Sequence, residues 1–367
     1  MQERMYVDVN VIQTVPPSCV NRDDTGSPKT ATYGGVRRAR VSSQSWKRAM
    51  RQYFRERFDE QELGVRTTRV VELIADRIVA LDPSVGKDEA INMAQKALQT
   101  AGVSTDVKKD KKGEAKTDYP YPQTPALFFI SVKQTENLAR LALGGEYDKK
   151  AAVKALNSGN GVDVALFGRM LADDPSLNTD AACQVAHSIS THRVENEYDY
   201  YTAIDDLAPE DNAGATMIGT VEFNSSTLYR YATLAVHDLA GLLDSKEATA
   251  KAAEEFVRAF VLSMPTGRQN TFANRTVPYA VFIAVRGDQP VSLVSAFEHP
   301  VLPDRDGGGY NVASVKRLVD YEQEACSSFV AAPLATWQVG EGLDGLGPRS
   351  ELASALEGLR QFILKEN

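Results

Sequence analysis

The order in which strand-like and helix-like patterns follow one another constrains this chain more than any single motif does. Residues 5–12 alternate Met5, Val7, Val9 and Val11 with Tyr6, Asp8 and Asn10, the period of two expected of a half-buried strand. After Pro16 and Pro17, the polar residues 21–31 read as a long loop or irregular hairpin ending at Gly34 and Gly35, where a positive φ or a close backbone approach is available. Ser42 or Ser43 then caps a helix over residues 43–57. Strand candidates follow at 185–192 and 227–237. Asp244 and Glu247 stand in capping-box spacing ahead of a helix with the stripe Ala253, Phe256, Val257, Phe260, Val261 and Met264, and a last strong strand covers 279–286. With the insertions set aside, the order is strand, helix, strand, strand, helix, strand. That is the order of the ferredoxin-like and RNA-recognition folds, so the sequence predicts an α+β architecture.

Two stretches interrupt this series. Residues 58–180 read as a helical insertion, with helices at 67–81, 88–100, 134–143 and 147–157, a lysine-rich loop at 108–116 and a turn-rich segment at 119–125. Residues 193–223 are polar and acidic with clustered Tyr198, Tyr200 and Tyr201, and resemble a protruding loop. The apolar share of 43% and charged share of 25% are those of an ordinary globular protein. No apolar run approaches the length of a membrane span and the amino terminus lacks a signal-type apolar core, so a cytoplasmic protein without a membrane partner is expected. Cys19, Cys183 and Cys326 are odd in number and widely spaced, which fits neither a disulfide framework nor a zinc site.

A net charge of −8 taken alone argues against a polyanionic ligand, but its distribution does not. Between Thr25 and Arg55 there is no Asp or Glu, while Lys29, Arg37, Arg38, Arg40, Lys47, Arg48, Arg51 and Arg55 are all basic. On the predicted helix, Trp46, Met50, Tyr53, Phe54 and Phe58 mark one face, and Lys47, Arg51 and Arg55 recur every fourth residue on another. Gln44 extends that polar row to the helix amino terminus, where free N–H groups favour an anion. A groove for a polyanion and a merely solvated basic helix both satisfy this pattern. The same holds for Arg268, in the loop 265–275, which is either a further basic contact or a solvated loop residue.

Catalytic signals are sparse. His187 and His192 lie five apart, off a common face of either helix or strand, and no metal-binding histidine motif is present. Gly34–Gly35 and the glycines at 307–309 lack the lysine and hydroxyl of a phosphate-binding loop. Asp23 with Asp24, and Asp205 with Asp206, are the acidic pairs placed near basic or aromatic features. They fit turn capping and ion pairing with neighbouring arginines, or a metal site for phosphodiester cleavage.

The segments 18–24 (SCVNRDD), 33–35 (YGG) and 37–51 (RRARVSSQSWKRAMR) resemble the signature of the backbone subunit of the type I-E CRISPR surveillance complex, Cascade. Further similar blocks are 161–170 (GVDVALFGRM), 186–192 (AHSISTH), 201–207 (YTAIDDL) and 228–232 (LYRYA); the insertion around 59–157 matches least. The resemblance implies a hand-shaped, non-catalytic protein without cofactor or metal. Its RNA-recognition-like palm would be formed by residues 1–57, 181–192 and 224–367, its helical finger domain by 58–180 and its thumb by 193–223. It implies that copies stack head to tail along a CRISPR guide RNA, which they hold for pairing with target DNA. The large, small, guide-end-binding and guide-processing subunits of Cascade are the other partners implied. Carried over by position, Lys29, Arg37, Gln44, Lys47, Arg48 and Arg51 are expected to contact guide phosphates and sugars. Met170, Tyr200, Tyr201, Thr202 and Ile204 are expected wedge and thumb contacts, and which tyrosine stacks stays open. Two rivals remain at this level: a type III-like backbone ribonuclease using Asp23 or Asp24, and a standalone single-stranded RNA-binding protein.

Overall fold

The computed structural model describes residues 4–107, 119, 121–145, 147–170, 175–203, 217–243, 245–303 and 308–366. In chain order they form β1 (Tyr6–Ser18), β2 (Thr30–Tyr33), β3 (Val36–Val41), α1 (Ser43–Phe54), β4 (Gly64–Thr67), α2 (Val70–Leu81), α3 (Lys87–Thr100), β5 (Phe128–Ser131), α4 (Val132–Leu143), α5 (Lys149–Asn157) and α6 (Val162–Phe167). Then come β6 (Cys183–Val185), β7 (Ser188–Ser190), β8 (Glu197–Ala203), β9 (Met217–Ala235), α7 (Val236–Leu242), α8 (Lys246–Leu262), α9 (Gln269–Phe272), β10 (Ala280–Arg286), α10 (Asn311–Ser328), β11 (Ala335–Gly340) and α11 (Leu352–Glu366). The chain divides into two compact units, one of Met1–Tyr53, Val185–Ala235 and Ala253–Glu366, the other of Phe54–Gln184 and Val236–Ala252.

The first unit is built on a sheet in the order β11-β10-β1-β9-β7-β3-β2. β1 runs antiparallel between β9 and β10, and β7 pairs antiparallel with β9. Taken with α1 and α8, the strands β1, β7, β9 and β10 reproduce the expected β-α-β-β-α-β series, with β9 between β1 and β7. The hairpin β2–β3 extends the sheet at one edge and β11 at the other. Its turn is Gly34–Gly35, at φ 58° and 78°, the backbone that a tight two-residue hairpin requires. A Cβ on Gly34 would also collide with the carbonyl of Glu298, so this glycine serves both positive φ and close approach.

Several expectations need correction. β1 does not end before the prolines but continues through Pro16 and Pro17 to Ser18, with a register shift between Val15 and Ser18 that spares the prolines from ladder bonding. Nor is it half-buried: Asp8 and Asn10 are as buried as Val7, Val9 and Val11, because α10 and its neighbours cover the face predicted to be open. α1 stops at Phe54 rather than at residue 57. The strand at 280–286 is not the last element, since α10, β11 and α11 follow. Ser245, whose Oγ accepts from the Ala248 amide at 3.2 Å, caps α8; Asp244 lies outside the described residues.

One face of the sheet packs Ile12, Tyr229, Tyr231, Phe282 and Ala284 against Phe297, Val315, Leu318 and Val319. The charged groups on this face are paired, while Asn10 Nδ2 and Thr233 Oγ1 are buried without a partner among the described residues. Arg286 spans Asp8 at 2.9 Å and Glu322 at 2.7 Å, and the Tyr231 hydroxyl donates to Asp8 at 2.9 Å. Burial pushes the Asp8 carboxyl upward against its hydrogen bonds and the Arg286 charge, whereas for Arg286 the Glu322 and Asp8 carboxylates outweigh burial and keep it protonated. On the opposite face, Arg230 of β9 lies 3.8 Å from the Trp46 ring of α1 and 4.7 Å from the Phe260 ring of α8, and it donates to Gln13 and to the Phe260 carbonyl.

His192 is a core residue. Its ring stacks on Tyr310 at 3.6 Å, Nε2 accepts from the Thr227 amide at 3.0 Å, and Nδ1 donates to the Arg193 carbonyl at 2.7 Å. That arrangement needs the neutral ring, and burial lowers its pKa below the ordinary 6.5.

The second unit centres on α2, α3, α4 and α5, which bury Val70, Ile74, Ile78, Leu98, Leu138 and Leu156 around Phe128 and Ile130 of the β4–β5 pair. Gln134 and Ser131 close a capping box at the start of α4, which explains why this helix begins directly after β5. Among the described residues no helix is long and apolar enough to cross a membrane.

Replacing Asp8 by Ala strands part of the buried Arg286 charge, and a loss of roughly 3 kcal/mol in denaturant unfolding is expected. Linkage predicts a second effect. Because the folded imidazole of His192 refuses a proton that the unfolded chain accepts near pH 6.5, its contribution is full above that pH and declines as pH falls. The thermal-midpoint advantage of the native chain over a His192→Gln variant therefore shrinks below pH 6.5.

Candidate nucleic-acid interface

α1 turns its apolar side inward through Trp46, Ala49, Met50 and Phe54, all buried, and Trp46 Nε1 donates to Ser188 Oγ at 3.0 Å. With one stripe so held, the other stripe faces outward. Gln44 and Arg48 are exposed, and Lys47 and Arg51 are half-buried, as expected of long cationic side chains lying along a surface. No acidic residue occupies the first turn of α1.

Arg48 and Arg268, far apart in sequence, line one cleft of about 660 Å³ together with Arg22, Asp23, Asp24 and Gln52. Its wall depends on a contact that only glycine permits. A Cβ on Gly267 would stand 2.1 Å from the Val20 carbonyl oxygen. The next residue, Arg268, adopts φ 48° and ψ 30°, a left-handed conformation costly for a non-glycine residue, and its buried Nε has no partner among the described residues. Asp23 has a structural task here: its Oδ1 accepts from the Thr25 amide at 2.9 Å, the Thr25 hydroxyl at 2.7 Å and the Ser27 amide at 3.0 Å. These bonds hold its carboxyl below the usual range, the Thr25 hydroxyl contributing most. Among the described residues no group of three His, Cys, Asp or Glu could hold a metal ion.

Lys29 and Arg40 border a small hollow with Asn21, Ser18 and Asn224. Arg37, exposed on β3, lines a separate cleft of about 540 Å³ with Arg193, Glu195, Asn196 and Tyr198. Its neighbour Arg38 must be withdrawn from the basic surface. Strand alternation turns it inward, where it donates to the carbonyls of Tyr33, Ser190, Phe297 and Glu298 and is fully buried, and burial lowers its pKa.

The described parts of the segment expected as a protruding loop, 193–203 and 217–223, contain a two-stranded ribbon. β8 pairs antiparallel with the first part of β9, Tyr200 opposite Thr220, Tyr201 opposite Gly219 and Thr202 opposite Ile218. Tyr200 and Tyr201 consequently belong to opposite faces. Tyr200 shares its face with Tyr198, Thr202 and Ile218, and the exposures of Tyr198, Tyr200 and Ile218, 67%, 64% and 60%, make this an open apolar surface. Tyr201 packs over Gly219, where a Cβ would meet its ring at 2.5 Å, and is 39% exposed. Ile204 lies outside the described residues, as do the lysine-rich loop and the pair Asp205 and Asp206. In the second unit, Met170 is 86% exposed beside a fully engaged Arg169, which donates to Leu177, Phe129 and Leu156 carbonyls and to Gln134 and Asn157. Burial lowers the Arg169 pKa to about 10. Sequence reasoning did not single out Gln52, Arg193 or the Arg40–His187 pair; Gln52 follows Arg48 by one helical turn and could have been found by that spacing, whereas Arg40 and His187 meet only through sheet pairing.

A family model for CT1975-like proteins matches residues 7–362. A solved chain described as "CRISPR RNA-guided surveillance complex, pre-nicking" is 32% identical, with TM-score 0.82, covering 99% of this chain and 100% of that one. Another, from a "CRISPR RNA-guided surveillance complex", is 29% identical, with TM-score 0.72 and coverage of 97% and 99%. No curated protein matches.

Substituting Gly267 by Ala forces the 265–268 segment away from Val20. A loss of about 1–3 kcal/mol is expected from this overpacking, read as a lowered midpoint in thermal unfolding, and the cleft shared by Arg48 and Arg268 should widen.

Proposed function

The chain belongs to the CT1975-like family, and on that premise we propose that it is a non-catalytic subunit that coats the guide RNA of a type I-E CRISPR surveillance complex. The observation that carries this reading is similarity over the full length, at 32% identity, to a chain of an RNA-guided surveillance complex. In this reading the protein is cytoplasmic and acts as palm, finger and thumb, with several copies following one another along the guide beside the large, small, guide-end-binding and guide-processing subunits.

The basic row of α1, with Lys29, Arg37 and Arg268, suits phosphates and sugars, contacts that set register without reading sequence. The open face of the ribbon, carrying Tyr200 with Thr202, and the exposed Met170 suit stacking or wedging against bases, which tolerates any sequence because every base offers a π-face. Of the two tyrosines, Tyr200 has the freer ring. Recognition of target DNA then belongs to base pairing with the guide. The engagement of Asp23 in its turn supports a binding role over a nuclease one.

A salt series of binding to a guide-length RNA tests the proposal. A Lys47→Ala/Arg51→Ala variant should bind more weakly, with the log-affinity slope flattened by up to roughly 0.7 per lost phosphate contact. Unchanged affinity and slope would remove α1 from the interface. Metal-dependent cleavage of complementary RNA by the assembled complex, lost on Asp24→Ala, would replace the reading with a ribonuclease.

A further inference from the structure

Three side chains outside the α1 row meet beside its amino terminus. Lys29 precedes β2, Arg40 lies on β3 and His187 immediately precedes β7. Val41 pairs with Ser188, so His187 and Ser42 each stand one residue beyond that pair, and α1 begins at Ser43. The position is therefore set by sheet register and by the hydrogen bond from Trp46 to Ser188.

Arg40 Nη1 lies 3.1 Å from His187 Nδ1, while Arg40 Nε donates to the Thr30 carbonyl at 3.1 Å. A guanidinium has donors only, so Nδ1 must accept, and the proton of the neutral ring resides on Nε2. The ring is exposed. Burial, then the charges of Arg40 and Lys29, lower its pKa below the ordinary value, so the ring is neutral at pH 7. Both charges acting on it are positive. Two half-buried cations and an exposed N–H donor stand together, with no carboxylate among the charges acting on the ring, a combination of donors that suits an oxyanion.

We propose that His187 is a further RNA-contacting residue whose Nε2–H donates to a phosphate oxygen of a strand also held by Lys29 and Arg40. This rests on the reading of the chain as a guide-RNA-binding subunit and adds a neutral contact to its charged ones. Arg40 acts twice, as a cation toward the phosphate and as the group that selects the imidazole tautomer.

The test is equilibrium binding of the full chain to a guide-length RNA through a salt series, for the native protein and the His187→Ala, His187→Gln and Lys29→Ala variants. His187→Ala should weaken binding roughly tenfold to a hundredfold, as for loss of a hydrogen bond to a charged group. Its log-affinity slope should equal the native one, because a neutral donor releases no counterion. Gln keeps an Nε2 donor and should recover most of the affinity. Lys29→Ala should flatten the slope by roughly 0.7. Native affinity in His187→Ala overturns the inference, as does equal weakening in both His187 variants, which would mark a packing role. A flattened slope in His187→Ala overturns it too, since the contact would then be ionic. If the native chain does not bind the RNA, the function reading fails and this inference falls with it. A null result confined to the His187 variants leaves that reading standing.

Discussion

The guanidinium of Arg230 joins three elements that must be aligned before any surface can be presented. It lies between the rings of Trp46 and Phe260 and bonds to Gln13, so α1 and α8 are both fixed against β1 and β9. Burial lowers its pKa to about 9, which still leaves it charged at pH 7. The charge is offset by two ring faces, a carbonyl and an amide oxygen, with no carboxylate among its hydrogen-bonding partners. A desolvated cation–π contact of this kind is worth about 2 kcal/mol or more, and it is directional in a way that aliphatic packing is not. Because Trp46 is locked, the outward row of α1 has a defined orientation on the sheet.

The same device recurs. Arg38 is satisfied by four backbone carbonyls and Arg169 by carbonyls and two amide side chains. Each joins segments distant in sequence, and each does so through neutral acceptors. Their positive charge is thus not cancelled locally, and Arg38 adds to the potential of the strand that displays Arg37 and Arg40. Arg286 shows the contrasting solution, paired with Asp8 and Glu322 on the sheet face away from α1, where an uncompensated cation would have no use.

The ribbon of β8 and β9 follows from a different constraint. β9 runs 19 residues, and its second half is anchored as a central strand between β1 and β7. That anchored half determines the register of the free half, and with it the faces of Tyr200 and Tyr201. Every residue of β8 is exposed, so no inward and outward alternation of polarity exists there for the sequence to display. This is why residues 193–223 look like a loop when read in one dimension.

The sequence by itself determined the strand and helix order of the sheet unit, the helices at 70–81, 87–100, 132–143 and 149–157, the two-faced α1 and the glycine hairpin at Gly34–Gly35. Each of these is a local matter of periodicity or permitted φ. It also carried the blocks by which the family is recognisable. Only the tertiary structure decided which charges are available. Arg37 and Arg38 are adjacent and chemically identical, yet one is exposed and the other enclosed, because Ser190, Phe297 and Glu298 supply the carbonyls that enclose it. Likewise Asp8 and Asn10 carry the polar pattern of an open face but are buried, since the layer that covers them begins some 300 residues later with α10. The meeting of Arg48 with Arg268, and of Arg40 with His187, depends on long-range register and loop closure. Local patterns record the period of an element, not what will be packed against it.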